Sequence, residues 1–146
     1  MPTAEVTRLR IDGVLSATAG APISPDPRTN ILTPPNSSQV FRWAERGRPG
    51  TGARDTVYLL GHTVRAGGGV FDRLQTVTPG QVIMVDTTTG SLQYKVSAVK
   101  LYPRDSIQHA DEVYATVPGR LVLIGCYLNA DGSRQDRNVV VFAQRT

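Results

Sequence analysis

The chain has 146 residues, 40% of them hydrophobic and 19% charged, with a formal charge of +4, which suits a single domain with a substantial core. Lys95 and Lys100 are the only lysines and the arginines are scattered (Arg42, Arg46, Arg48, Arg54, Arg65, Arg73), without the basic stripe or stacking aromatics that nucleic-acid binding requires. One cysteine excludes an intrachain disulfide framework, and no run approaches the roughly 18 apolar residues of a membrane span.

Residues 1–5 contain no signal-peptide apolar region, so any anchoring or export segment is expected to lie outside this sequence. Val6 to Val14 reads as a first strand with Val6, Leu9 and Ile11 inward and a turn at Asp12-Gly13. Residues 16–38, rich in Ala, Pro, Ser, Thr and Asn, read as a surface connection, with flexibility expected in parts of it and in residues 1–5. Gln39 to Ala44 is a short strand and Thr56 to Gly61 a buried one. Val70 to Leu74 fits one helical turn that places Val70, Phe71 and Leu74 on the core.

Thr78-Pro79-Gly80 is a turn, Gln81 to Asp86 a strand, and Thr87-Thr88-Thr89-Gly90 a hairpin connection into Leu92 to Val99, where apolar and polar residues alternate. Ser106 to Tyr114 fits one or two helical turns, and Arg120 to Tyr127 and Asn138 to Gln144 close the chain as strands. The sum is a mainly all-β domain of about eight strands with one or two short helices. A closed or nearly closed β-barrel is expected, because closure removes exposed strand edges.

Three chemically capable side chains fall at predicted strand ends: His62 after Tyr58-Leu59-Leu60-Gly61, Cys126 after Leu121-Val122-Leu123-Ile124-Gly125, and Arg137 before Asn138-Val139-Val140-Val141-Phe142-Ala143. A sheet holds such groups in fixed geometry while leaving them open to a cleft. Covalent thiol chemistry is therefore the leading reading. Each residue also has a plain structural reading: a buried cysteine acting as a small hydrophobe, a histidine at a loop entry, a solvated arginine. Arg65-Ala66-Gly67-Gly68-Gly69 reads as a mobile, exposed loop bordering His62. Zinc on Cys126, His62 and His109 is a weaker rival, since CxxC and HxxxH spacings are absent. There is also no Gly-x-Ser-x-Gly elbow, and no GKS or GKT follows the glycine loop.

These strings resemble the sortases, the cysteine transpeptidases of Gram-positive cell surfaces. The resemblance runs from about Val6 onward. Its most specific part is Tyr58-Leu59-Leu60-Gly61-His62 followed by Gly69-Val70-Phe71-Asp72-Arg73-Leu74, which is similar to the family's Gly-His strand end and Gly-x-Phe-x-x-Leu turn. Thr78-Pro79-Gly80-Gln81-Val82-Ile83 and Tyr94-Lys95-Val96 fit the next turn and strand, and the Gly125-Cys126 and Arg137-to-Ala143 strings fit the nucleophile strand and the last strand. Arg48-Pro49-Gly50 and the Asn-Val-Val-Val-aromatic-Ala ending look most like the single-domain actinobacterial classes F and E.

The resemblance implies one catalytic domain over residues 1–146, a closed eight-stranded sortase-type β-barrel without cofactor or metal. It implies Cys126 as nucleophile, His62 as acid/base and Arg137 as the arginine that steadies the oxyanion. The expected partners are an LPXTG-like sorting-signal peptide, cleaved between Thr and Gly, and an amine acceptor such as a peptidoglycan precursor or pilin lysine. No nucleic acid or membrane contact by this segment is expected, and the location is the extracytoplasmic face of the cell membrane.

The family usually has Thr where Gly125 stands, and Arg137 is about one residue too far upstream of Ala143. A slip of one residue points a strand side chain to the other face. A bulge would restore Arg137; Arg134 is the alternative. Leu101, Ile107, Val113 and Val117 are candidate contacts for the signal's Leu-Pro end. Asp105, Asp111 and Glu112 are too few and unpatterned to support calcium. The competing functions are a catalytically weak sortase-like β-barrel used for binding or assembly, and a plain binding barrel with a structural cysteine.

Overall fold

The computed structural model describes residues 2–64, 67–104, 106–128 and 134–146, without the side chains of 126–128 and 134–136. Eight strands form one curled sheet: β1 (Val6–Ile11), β2 (Leu15–Thr18), β3 (Phe41–Arg42), β4 (Val57–Leu60), β5 (Val82–Thr87), β6 (Gly90–Pro103), β7 (Arg120–Leu128) and β8 (Arg134–Arg145). Their order is β2-β1-β5-β6-β8-β7-β4-β3, antiparallel except for the β4–β7 pair. The ladder makes a half-barrel. Its two end strands are stitched together by isolated parallel bridges, Ala19 to Val40 and Ile23 to Trp43.

The predicted first strand is in fact a hairpin. Gly13 takes a positive φ of 75°, a conformation open to glycine at little cost, and the chain folds back as β2, within the region expected to be loop. The strand expected at Gln39 to Ala44 narrows to two ladder residues, Phe41 and Arg42. Residues 106–114 form the expected short turns, a 3-10 turn at Ile107–His109 and helix α1 (Asp111–Tyr114). No helix among the described residues is long and apolar enough to cross a membrane.

The apolar runs of β4, β7 and β8 are buried on both faces, which explains why they read as continuous rather than alternating. Val57, Leu59, Leu121, Leu123, Val139 and Val141 turn into the barrel with Leu9, Ile11, Phe71 and Leu74. Tyr58, Leu60, Val122, Val140 and Phe142 turn outward, where Ile107, Val113, Leu32 and Trp43 cover them. This outer layer stops short of the strand ends.

Candidate active site

Two strands carry the same pattern in parallel. Leu59-Leu60-Gly61-His62 runs beside Leu123-Ile124-Gly125-Cys126, with Leu59 paired to Leu123 and Leu60 to Ile124. The Gly61 N–H donates to the Ile124 carbonyl at 3.3 Å, so the ladder continues past the last regular pair. The next positions in this register are His62 and Cys126. Adjacent strands lie about 4.8 Å apart, which sets the imidazole-bearing and thiol-bearing backbones side by side.

Phe71 holds these two strand ends. A Cβ at Gly125 would stand 2.9 Å from the Phe71 Cβ, and one at Gly61 would stand 2.5 Å from Val70 Cγ1 and 2.9 Å from Phe71 Cδ2. Both positions are therefore glycine because the turn after His62 tucks its aromatic ring beneath them. This accounts for the departure at Gly125 from the Thr usual in the family. The turn itself is fixed by the Phe71 N–H donating to the His62 carbonyl at 3.1 Å. Asp72 accepts from the Val64 N–H (2.7 Å) and the Gly69 N–H (2.9 Å). The loop expected to be mobile is thus pinned at both shoulders; Gly67 and Gly68 are exposed, while Arg65 and Ala66 lie outside the described residues.

Above the glycine pair opens a cavity of about 210 Å³, lined by Leu60, Gly61, His62, Ile124, Gly125, Asn138, Arg104 and the segment Leu32-Thr33-Pro34. It shares Leu32, Leu60, Arg104, Ile124 and Asn138 with a larger cavity of about 490 Å³, whose further walls include Ile31, Trp43, Ile107 and Tyr114. Together they form one groove that ends beside His62. The Leu32-Thr33-Pro34 segment crosses its near end: the His62 Nε2 lies 2.8 Å from the Pro34 carbonyl oxygen. A carbonyl can only accept, so this nitrogen carries the proton.

The far wall is held by arginines that the sequence showed only as scattered charge. The Arg46 guanidinium lies over Trp43 and Tyr58, 5.2 and 4.7 Å from the ring centroids. It donates to Asp55 at 2.7 and 2.9 Å and to the Tyr114 carbonyl at 2.9 Å. Its hydrogen bonds hold the Asp55 carboxyl below the usual carboxylate range. The Tyr58 hydroxyl donates to the Val113 carbonyl at 2.6 Å, and Arg120 donates to the carbonyls of Glu112, Val113 and Ala115. These bonds fasten the outer turns to β4 and β7 and fix the width of the groove.

Of the sequence-derived site residues, the fold brings His62 and the Cys126 position together; the Cys126 side chain lies outside the description. Arg137 does not join them. It pairs with Pro103 of β6, is exposed, and lines neither cavity. Cys126 pairs with Asn138, so alternation puts Asn138 on the Cys126 face and Arg137 on the other. The register does shift beyond Cys126, where Leu128 pairs with Arg134. β8 then carries two extra residues across this shift, and the Arg134 side chain is not described.

Arg104, singled out by no motif, lines both cavities. Of the four candidate Leu-Pro contacts, Ile107 lines the groove. Val113 is instead fully buried core, and Leu101 is 41% exposed outside both cavities. Val117 is half-buried and lines neither cavity. Among the described residues no three His, Cys, Asp or Glu side chains gather where a metal could be held; Asp105 is not described.

A curled eight-stranded sheet with a groove over paired Gly-His and Gly-Cys strand ends defines the class of fold. Sortase C-1 from Actinomyces oris superposes with a TM-score of 0.69 over 95% of this chain and 72% of its own, at 22% identity. Sortase A from Corynebacterium diphtheriae, a lid mutant, gives 0.66 over 100% and 72%, at 18% identity. The Clostridium perfringens sortase D5 transpeptidase gives 0.64 over 100% and 82%, at 14% identity. No curated protein matches the chain by sequence. Residues 14–146 match the Sortase domain family, and the chain belongs to the sortases, whose general function is of the transpeptidase type.

Proposed function

We propose that this sortase is a cysteine transpeptidase that cleaves an LPXTG-like signal through a thioester on Cys126 and passes the acyl group to an amine. The observation that carries the reading is the parallel β4–β7 register, which runs the strand leading to His62 beside the strand that reaches Cys126, at one end of a peptide-sized groove. In this mechanism the Cys126 thiolate attacks the Thr carbonyl, forming a C–S bond and an oxyanion. His62, as the imidazolium, then gives its Nε2 proton to the departing glycine nitrogen as the C–N bond breaks, and is left as neutral imidazole. The incoming amine attacks the thioester, loses a proton to His62 and releases the thiolate. A free thiol has a pKa of about 8.5, so a cationic neighbour that stabilises the thiolate raises the reactive fraction at neutral pH.

With Arg137 exposed and outside both cavities, Arg134, the alternative named from the sequence, is the β8 arginine that steadies the oxyanion. The acceptor is an amine such as a peptidoglycan precursor or pilin lysine, and the place of action is the extracytoplasmic face of the membrane. The test is intact-mass detection of an acyl adduct after mixing with LPXTG-like peptides, chased with pentaglycine, diaminopimelate-type amines or water. The wild-type adduct should appear and resolve into the amine product, and Cys126→Ala should form none. Cleavage retained by Cys126→Ala would refute the nucleophile.

A second reading is a catalytically weak barrel used for binding or assembly, favoured by the His62 contact to Pro34. It predicts a thiol that accepts a label but never yields a peptide adduct.

A further inference from the structure

Asn138 stands directly across β7–β8 from Cys126 and lines both cavities of the groove. Opposed residues of an antiparallel pair share a face, with Cα atoms about 4.5–5.5 Å apart. The offset that takes Arg137 off this face is the same one that puts a carboxamide on it. The Asn138 Oδ1 is buried and has no hydrogen-bond partner among the described residues. Such an oxygen gives up its water without a replacement, a cost seldom retained unless something else supplies the partner.

An unpaired carbonyl-type oxygen selects the chemistry of what fills it, since it accepts and cannot be matched by another acceptor. In a groove that ends at a thiol position, the N–H donor available from an extended peptide is a backbone amide flanking the carbonyl under attack. The geometry points to Asn138 as a substrate-contacting residue that accepts a backbone N–H of the acyl-donor peptide next to Cys126. The inference rests on the acyl transfer proposed above and names a contact that aims the peptide into it. The incoming amine also carries N–H groups, so formation and resolution of the thioester must be measured separately.

The experiment uses acyl-donor peptides in which one non-scissile backbone amide at a time is replaced by an ester, read as the rate of adduct formation by intact mass. On the wild type, one ester position should slow acylation by about 5–10-fold, the size of one hydrogen bond. Asn138→Ala should acylate about 5–10-fold more slowly on the all-amide peptide and show no further loss at that ester. Resolution of the preformed thioester by amine should keep its wild-type rate.

Wild-type acylation by Asn138→Ala, equal ester losses on both proteins, or a loss confined to resolution would each overturn the inference. Should Asn138→Ala fail to fold, the ester scan on the wild type decides by itself, because a flat scan removes the contact. A wild type that acylates and gives a flat scan sinks this inference alone. A wild type whose thiol takes a label but forms no adduct with any peptide sinks the acyl-transfer reading and this contact with it.

Discussion

The Nε2 proton of His62 points at Pro34 and is held there at 2.8 Å, so this side chain is set to donate before any substrate arrives. Pairing to a backbone carbonyl fixes the ring orientation, and a peptide entering the groove has to replace Pro34 as the acceptor. His62→Ala should therefore lower turnover by about 100- to 10,000-fold, the range of a lost general acid, without lowering the melting temperature much, since the residue is only half-buried. The arginine is decided in the same assay. Arg137 is exposed and outside both cavities, so Arg137→Ala should stay within about threefold of wild type. Arg134→Ala should lose about 100-fold or more, as when an oxyanion donor is removed. The reverse ranking would mean that a bulge returns Arg137 to the Cys126 face.

Where strands β4 and β7 end, Gly61 and Gly125 act as one device with the turn that carries Phe71. Restoring the family's usual residue by Gly125→Thr drives a Cβ to within 2.9 Å of the root of the Phe71 side chain, which cannot swing away as a flexible tip could. The expected cost is about 1–3 kcal/mol of stability, typical of an overpacked core, together with slower acylation as the two strand ends separate. Thermal melts of Gly125→Thr with Phe71 intact and with Phe71→Ala test this. The threonine should cost clearly less in the second background, and equal costs would exclude the clash. The Leu60-Gly61-His62 and Ile124-Gly125-Cys126 endings were legible in the sequence because each is a local pattern on a buried strand. Phe71 was legible as core, though not as the wedge that demands the glycines. Strand β2 and the Arg46 clamp were not legible, and β3 was legible as a strand but with bounds drawn too long. Leu15–Thr18 follows a turn within polar sequence, Phe41–Arg42 is too short for a period, and Arg46 depends on Asp55, Tyr58 and Tyr114 arriving from other elements. The faces of Asn138 and Arg137 depend on β7–β8 register, which string matching does not carry.

At the scale of the whole barrel, the weak point is the seam between β3 and the β1–β2 hairpin, and an ion pair crosses it. Arg42 on β3 is 6% exposed in its side chain and donates to both carboxylate oxygens of Glu5, just ahead of β1, at 2.8 and 2.9 Å. The same guanidinium donates to the carbonyls of Trp43 and Arg46 at 3.0 and 2.8 Å, while the Ala4 N–H donates to the Pro49 carbonyl at 3.0 Å. Residues 4 and 5, expected to be flexible, therefore close the molecule. The hydrogen bonds from Arg42 hold the Glu5 carboxyl below its ordinary range, as Arg46 does for Asp55 and Arg10 for Asp86. A carboxylate whose folded pKa is depressed adds stability that is complete above its unfolded value of about 4. That stability is lost as pH falls through the folded value. The melting temperature should thus hold steady from neutral pH to about 5 and drop below about 4. Arg42→Leu leaves buried carbonyls without their donor and should cost about 3 kcal/mol at neutral pH, roughly 10 °C in a domain of this size. It also returns Glu5 to ordinary titration, so the acid drop of the variant should be shallower than that of the wild type. Parallel acid profiles for the two proteins would show that the seam is held by packing and not by this ion pair.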